Sequence, residues 1–96
     1  MEADGVSRVE VRPLGPGRFA AAVTEGTTTT HHKVAVRAGL LADRDLDETD
    51  PAQVVHEAVA LFLDRQPVTA LPEEFPLDEL AEHFEDFWPE VRARVP

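Results

Sequence analysis

The feature that most constrains this sequence is a change of hydrophobic period part-way along it. From Val6 to Val36 apolar residues recur mainly at every second position, which puts alternate side chains on opposite faces of a strand. From Asp50 onward they recur at helical spacing. Strands followed by helices predict an α+β domain, with the helices packed on one face of the sheet.

Within the first segment, Val9 and Val11 alternate with Arg8, Glu10 and Arg12, a strand with one wet face. Leu14-Gly15-Pro16-Gly17 supplies a turn, because glycine accepts positive φ and proline cannot continue a ladder. Phe19, Ala21 and Val23 mark the buried face of a second strand ending near Glu25-Gly26. Thr28 to Val36 reads as a third, rich in β-branched residues. On it Thr30, His32, Val34 and Val36 share one face, and Thr29, His31, Lys33 and Ala35 the other; the valines predict that the first of these faces the core. The expected sheet is a three-stranded antiparallel β-meander.

Gly39 and the charged stretch Asp43 to Asp50 break the alternation, with Leu40, Leu41 and Leu46 forming a short helical turn in a connection over 40–50. Asp50-Pro51-Ala52-Gln53 is a strong helix start: Asp50 can cap free amides, Pro51 suits the first helical position and Gln53 stands at the capping-box position. Val55, Ala58, Val59, Phe62 and Leu63 then follow one face, and Pro67 stops the helix after Arg65. Pro72 and Pro76 punctuate a loop, Leu77, Leu80, Ala81 and Phe84 form a second stripe, and Pro89 opens a third short helix with Arg92 and Arg94 near its carboxyl end. Phe87 and Trp88 read as a pair that locks this last helix down, in preference to the alternative that they anchor a partner. The expectation is therefore one domain over 1–96, β-rich at 6–37 and helical at 51–95, with two or three α-helices after the meander.

Charge follows the same division. Residues 1–42 carry five basic and four acidic side chains, a net of +1, whereas the remaining 54 residues carry 15 acids and four bases, a net of −11. The overall charge of −10 repels phosphate backbones and anionic lipid at long range, which disfavours nucleic acid as a partner. The amino terminus Met1-Glu2-Ala3-Asp4-Gly5 is acidic where a signal peptide would be basic, and no apolar run approaches the roughly 20 residues of a membrane span. With no cysteine for disulfides, thiolate metal sites or a thiol nucleophile, the expected compartment is the cytoplasm.

Motifs that carry chemistry are sparse. His31 and His32 are adjacent on a strand, so they point to opposite faces and cannot together chelate one ion. None of the four histidines stands in an H-x-x-x-H or H-E-x-x-H arrangement. Asp43-Arg44-Asp45-Leu46-Asp47 opens like a calcium loop, but Glu48 stands where the turn glycine belongs and Val54 where the bidentate glutamate belongs. No G-x-S-x-G elbow frames a nucleophile, and Pro16 interrupts the only glycine-rich turn. The sequence thus nominates no catalytic residue, cofactor site or metal ligand set.

Two resemblances add to this. Arg18-Phe19-Ala20-Ala21-Ala22-Val23-Thr24, Thr29-Thr30-His31-His32-Lys33-Val34-Ala35-Val36 and Ala60-Leu61-Phe62-Leu63-Asp64-Arg65-Gln66-Pro67 together look like a family of short uncharacterised bacterial proteins, a resemblance that implies no activity. Locally, Thr49-Asp50-Pro51-Ala52-Gln53-Val54-Val55-His56-Glu57-Ala58-Val59-Ala60-Leu61-Phe62-Leu63-Asp64-Arg65 resembles the second helix of ribbon-helix-helix repressors, which also occur in HicB-type antitoxins. That resemblance implies a small DNA-binding regulator in which the strand Lys33 to Arg37 pairs with another subunit and reads the major groove. The residues themselves point to a non-enzymatic protein-binding or regulatory domain. Its expected partner is another protein, of basic character if it meets the acidic helical side, or a second chain paired along the edge strand Thr28 to Val36. Arg12, Thr29, His31, Lys33 and Arg37 are the expected interaction surface.

Overall fold

Two glycine turns fold the first third of the chain onto itself. They join β1 (Ser7–Gly15), β2 (Arg18–Glu25) and β3 (Thr28–Ala35), each antiparallel to the one before. The structure, a computed structural model, describes residues 7–95, so the expected strand start at Val6 and the acidic first five residues lie outside the described residues. In the first turn Pro16 fixes φ at one central position and Gly17 takes φ of 69° at the next, the type II combination. Gly17 has no room for a side chain, because a Cβ there would stand 2.7 Å from the Val36 carbonyl oxygen. Just before it the register shifts between Pro13 and Gly15, so Leu14 is the extra residue of a β-bulge and is 52% exposed. The second turn has Gly26 first, at φ 62°, and Thr27 outside the positive-φ region, as a type II′ hairpin needs.

The sheet differs from the expected three-stranded, strictly antiparallel meander. A fourth strand, β4 (Glu74–Pro76), lies parallel to β3 with Lys33 opposite Glu74, Val34 opposite Phe75 and Ala35 opposite Pro76, giving the order β1-β2-β3-β4. Three residues between prolines offer too few alternations to show a period, and parallel pairing requires a long crossover, here the whole helical run from Leu40 to Arg65. Phe75, buried beside Val34, is what holds β4 in place.

Helices cover one face only. α1 (Leu40–Asp43) is a single turn that buries Leu40. α2 (Pro51–Arg65) begins as expected, with Asp50 Oδ1 accepting a hydrogen bond from the Ala52 amide at 3.0 Å, and it buries Val54, Val55, Ala58, Val59, Leu61 and Phe62 against the sheet. The capping box does not close, because Gln53 donates forward to Glu57 at 2.8 Å instead of reaching back to Asp50. The stripe through Leu77, Leu80, Ala81 and Phe84 is not one helix: α3 (Leu77–Leu80) gives way to a 3₁₀ turn at Ala81–His83, and Phe84 is extended. α4 (Phe87–Arg94) starts two residues before Pro89, which is tolerated because amides of the first helical turn have no intrahelical acceptor to lose.

Phe87 and Trp88 both turn inward and meet edge to face at 4.9 Å, which locks α4 as expected. Asp86 precedes α4 in the capping position yet does not cap it, since Arg65 takes both carboxylate oxygens at 2.7 and 2.9 Å. Sheet and helices share one buried cluster, from Phe19, Val23 and Val34 through Phe62 to Val91. Among the described residues no helix is long and apolar enough to cross a membrane.

Candidate functional site

Because the helices lie on one side, no element among the described residues covers the other face of the sheet, and alternation decides what stands on it. In successive rows it carries Arg8, Thr24 and Thr29; then Glu10, Ala22 and His31; then Arg12, Ala20, Lys33 and Glu74; then Arg18 and Ala35. Thus Arg12, Thr29, His31 and Lys33, four of the five residues expected to interact, share one exposed face. Arg37 does not join them. The chain has left β3 by that point, and its guanidinium lies 3.3 Å from Asp78 and 3.6 Å from Asp43, tying the strand end to α3 and α1.

The centre of this face is floored by alanines. Between long side chains they leave two shallow depressions of about 250 Å³ each, one bounded by Glu10 and Arg12, the other by Lys33, Glu73 and Glu74, with Ala20 and His31 common to both. His31 stands between them, exposed.

Its neighbour His32 points the other way and is 5% exposed. Its Nδ1–H donates to the Pro72 carbonyl at 2.7 Å, and the Thr30 hydroxyl hydrogen-bonds Nε2 at 2.8 Å. His32 therefore moors the segment leading into β4 and is a structural residue. The remaining histidines are far from this pair in role: His83 packs edge to face on Phe62 at 5.6 Å, and His56 Nδ1 stands 3.4 Å from Glu57 without hydrogen-bond geometry. Among the described residues no three His, Asp or Glu side chains converge as metal ligands would.

The two faces of the molecule treat their arginines differently. In the helical layer Arg65 is bidentate on Asp86, Arg94 reaches Asp64 at 2.7 Å, Arg92 bonds the Arg44 carbonyl, and Arg44 lies over the Trp88 ring at 5.2 Å. The hydrogen bond from Arg65 holds the Asp86 carboxyl below its ordinary range, and the same bond raises Arg65. On the bare sheet face Arg8, Arg12 and Arg18 make no ion pair with a described residue, and Lys33 has only a 4.0 Å contact with Glu74. The bare face is thus cationic on a strongly acidic molecule.

Backbone hydrogen bonds complete the site. Strand residues bond alternately to one neighbour and the other. Val36 donates to the Gly17 carbonyl, so even-numbered residues of β3 serve β2; Lys33 donates to the Glu73 carbonyl, so odd-numbered residues of β3 face outward. β4 uses that outward side only along Lys33–Ala35. The backbone groups of Thr29 and His31 consequently point away from the sheet with no strand among the described residues to receive them. This corrects the expected edge, Thr28 to Val36, to its first half.

By the same alternation, the free edge of β1 presents Val9, Val11 and Pro13. That edge is guarded by Pro13, by the bulge at Leu14 and by the charges of Arg8, Glu10 and Arg12. Residues Thr28–His31 have no such guard, and from His32 onward Pro72 and Glu73 lie alongside the strand. The sequence marked this strand but not its half-occupancy, because Glu74, Phe75 and Pro76 give no strand signal.

No family model, curated protein or solved structure matches this chain. The functional reading therefore rests on the geometry above.

Proposed function

We propose that this chain is a non-enzymatic protein-binding domain that takes an extended segment of another polypeptide along the vacant half of β3. The observation that carries this reading is the pair of outward backbone positions, Thr29 and His31, on an edge segment that lacks proline, bulge and carboxylate. An added strand would gain main-chain hydrogen bonds there, and its side chains on the bare face would meet His31 and the depression beside it bounded by Lys33, Glu73 and Glu74.

The DNA-binding alternative requires Lys33 to Arg37 to be free for pairing between subunits. Pairing of Lys33–Ala35 with β4, and the engagement of Arg37 by Asp43 and Asp78, favour the protein-binding reading over it.

The test is affinity capture followed by mass spectrometry at low and moderate salt, using the native chain and His31→Pro. Proline at 31 removes an outward amide and leaves the ladder to β2 intact. The expected result is one protein partner captured by the native chain and lost by the variant, with unchanged circular dichroism. Capture that survives the substitution, or recovery of a specific promoter fragment instead, would overturn the reading.

A further inference from the structure

The middle strand of the bare face carries its smallest side chains. Along β2, Ala20 and Ala22 stand on that face, between Thr24 at one end and Arg18 at the other. Alanine is a poor strand residue, and on a face that no described element covers it gains no packing in return. Longer side chains flank it, Glu10 and Arg12 from β1 and His31 and Lys33 from β3. The result is a trough with an alanine floor, and the depression of about 250 Å³ between Glu10, Arg12 and His31 is its centre.

The two walls stand two strand spacings apart, roughly 10 Å, and the floor from Arg18 to Thr24 runs about 20 Å. Those dimensions choose among occupants. An extended chain lying on the floor would have its amides and carbonyls stripped of water with no ladder to receive them. A second sheet is wider than the trough and would rest on the walls. A helix satisfies its own backbone, is about 10–12 Å across, and covers about 20 Å with about 13 residues.

Charge narrows the choice further. The face holds four cations, Arg8, Arg12, Arg18 and Lys33, against two carboxylates, Glu10 and Glu74, a net of +2. Arg12 and Lys33 stand level with each other on either side of Ala20, and Arg8 lies about 13 Å from Arg12 along the same wall. A second copy of this face would set like charge against like. A nucleic-acid strand would find no aromatic side chain in these rows for base stacking, and its continuous charge would also meet Glu10, Glu74 and the chain's net −10. A helix can place carboxylates only where the cations are, and the acidic helical layer beyond the sheet is screened over a Debye length of about 8 Å at physiological salt.

We propose that the trough over Ala20 and Ala22 receives an amphipathic helix of a partner protein. Its apolar stripe lies on the alanine floor, one flank carries carboxylates about two turns apart toward Arg8 and Arg12, and the other carries one toward Lys33. This goes beyond the strand pairing given under Proposed function, because it uses the face of the sheet and not the β3 edge.

The test is an amide-shift titration of the full chain with synthetic probes. The main probe is a peptide of about 18 residues, with alanine and leucine along one helical stripe, glutamate on both flanks and glutamine on the outer face. One control peptide has lysine in place of glutamate, another has the same residues shuffled out of helical spacing, and a thymidylate single strand of similar length is the nucleic-acid arm. Shifts should centre on Ala20, Ala22 and the flanking Arg12 and Lys33, and the acidic peptide should bind at least about tenfold more tightly than either control. Ala22→Gln fills the trough without changing charge, and should weaken that peptide at least about tenfold with unchanged circular dichroism.

If Ala22→Gln fails to fold, Arg12→Gln decides, since loss of that exposed cation should weaken the acidic peptide about threefold or more and unchanged affinity would refute the fit. No binding of the acidic peptide at about 1 mM, equal affinity for all three peptides, or tighter binding of the oligonucleotide to the same rows would overturn the proposal. Shifts confined to Thr28–His31, with full affinity kept by Ala22→Gln, would overturn it too and return the peptide to the strand edge.

Discussion

Replacing His32 with leucine tests how far one buried side chain organises the binding edge. His32 is 5% exposed and makes two hydrogen bonds, one to the Pro72 carbonyl and one with Thr30. Each is worth about 0.5–1.5 kcal/mol net, so both together contribute about 1–3 kcal/mol. Leucine keeps most of the bulk and adds apolar burial, which offsets part of the loss and leaves about 1–2 kcal/mol of destabilisation. For a chain of this size each kcal/mol lowers Tm by about 4–8 °C, so the variant should melt about 4–16 °C below the native chain.

The loss should also be local. Lys33 N–H, which bonds the Glu73 carbonyl at 2.7 Å, lies next to the lost mooring, whereas Val36 N–H bonds Gly17 across the β2–β3 ladder at 2.8 Å. Amide exchange at Lys33 should therefore accelerate far more than at Val36, because β4 opens without the meander. A Tm within about 2 °C of native, together with unchanged Lys33 protection, would refute the role given to His32.

Two further predictions concern the frame around the edge. Gly17→Ala meets both a positive φ of 69° and a Cβ position 2.7 Å from the Val36 oxygen, whereas Gly26→Ala meets a φ of 62° with open space; denaturant titration should find the first costlier than the second by about 1 kcal/mol or more, and equal losses would contradict the steric account. Asp86→Asn addresses acid stability. The native carboxyl is held below its usual 3.8 by Arg65, so its contribution is complete above about that pH and is lost as pH falls through the lowered value. The stability gap between native and variant should be level near neutrality and close on acidification below about pH 3.8; a gap that widens there would reverse the sign argued for the pair.

Much of this architecture is legible residue by residue. The alternation through Phe19, Ala21 and Val23 and the valines of β3 identify the buried face, and the start at Asp50-Pro51 places α2 to the residue. Misreadings fall where local signals conflict with long-range ones. Phe75 is a lone apolar residue in sequence and a buried strand residue in the fold. Pro89 looks like a helix opener, yet burial of Phe87 and Trp88 draws two earlier residues into α4. Asp86 has the chemistry of a cap but serves Arg65, 21 residues away. Arg37 shares strand parity with Lys33 and would join the bare face if β3 continued, but the acids of α1 and α3 pull it aside.

By itself the sequence determined the change of period, the turns and the division of charge, because each depends on residues a few positions apart. It led to the expectation that helices cover one sheet face and that Arg12, Thr29, His31, Lys33 and Arg37 form a surface; which face is covered, and that Arg37 stands apart, was decided by the fold. Tertiary structure decided how much of the β3 edge remains open. That depends on a parallel contact between residues about 40 positions apart, held by Phe75 in the core and by His32 on the Pro72 carbonyl. No local pattern encodes such a contact, because its stability comes from burial that exists only once α2 has crossed the sheet.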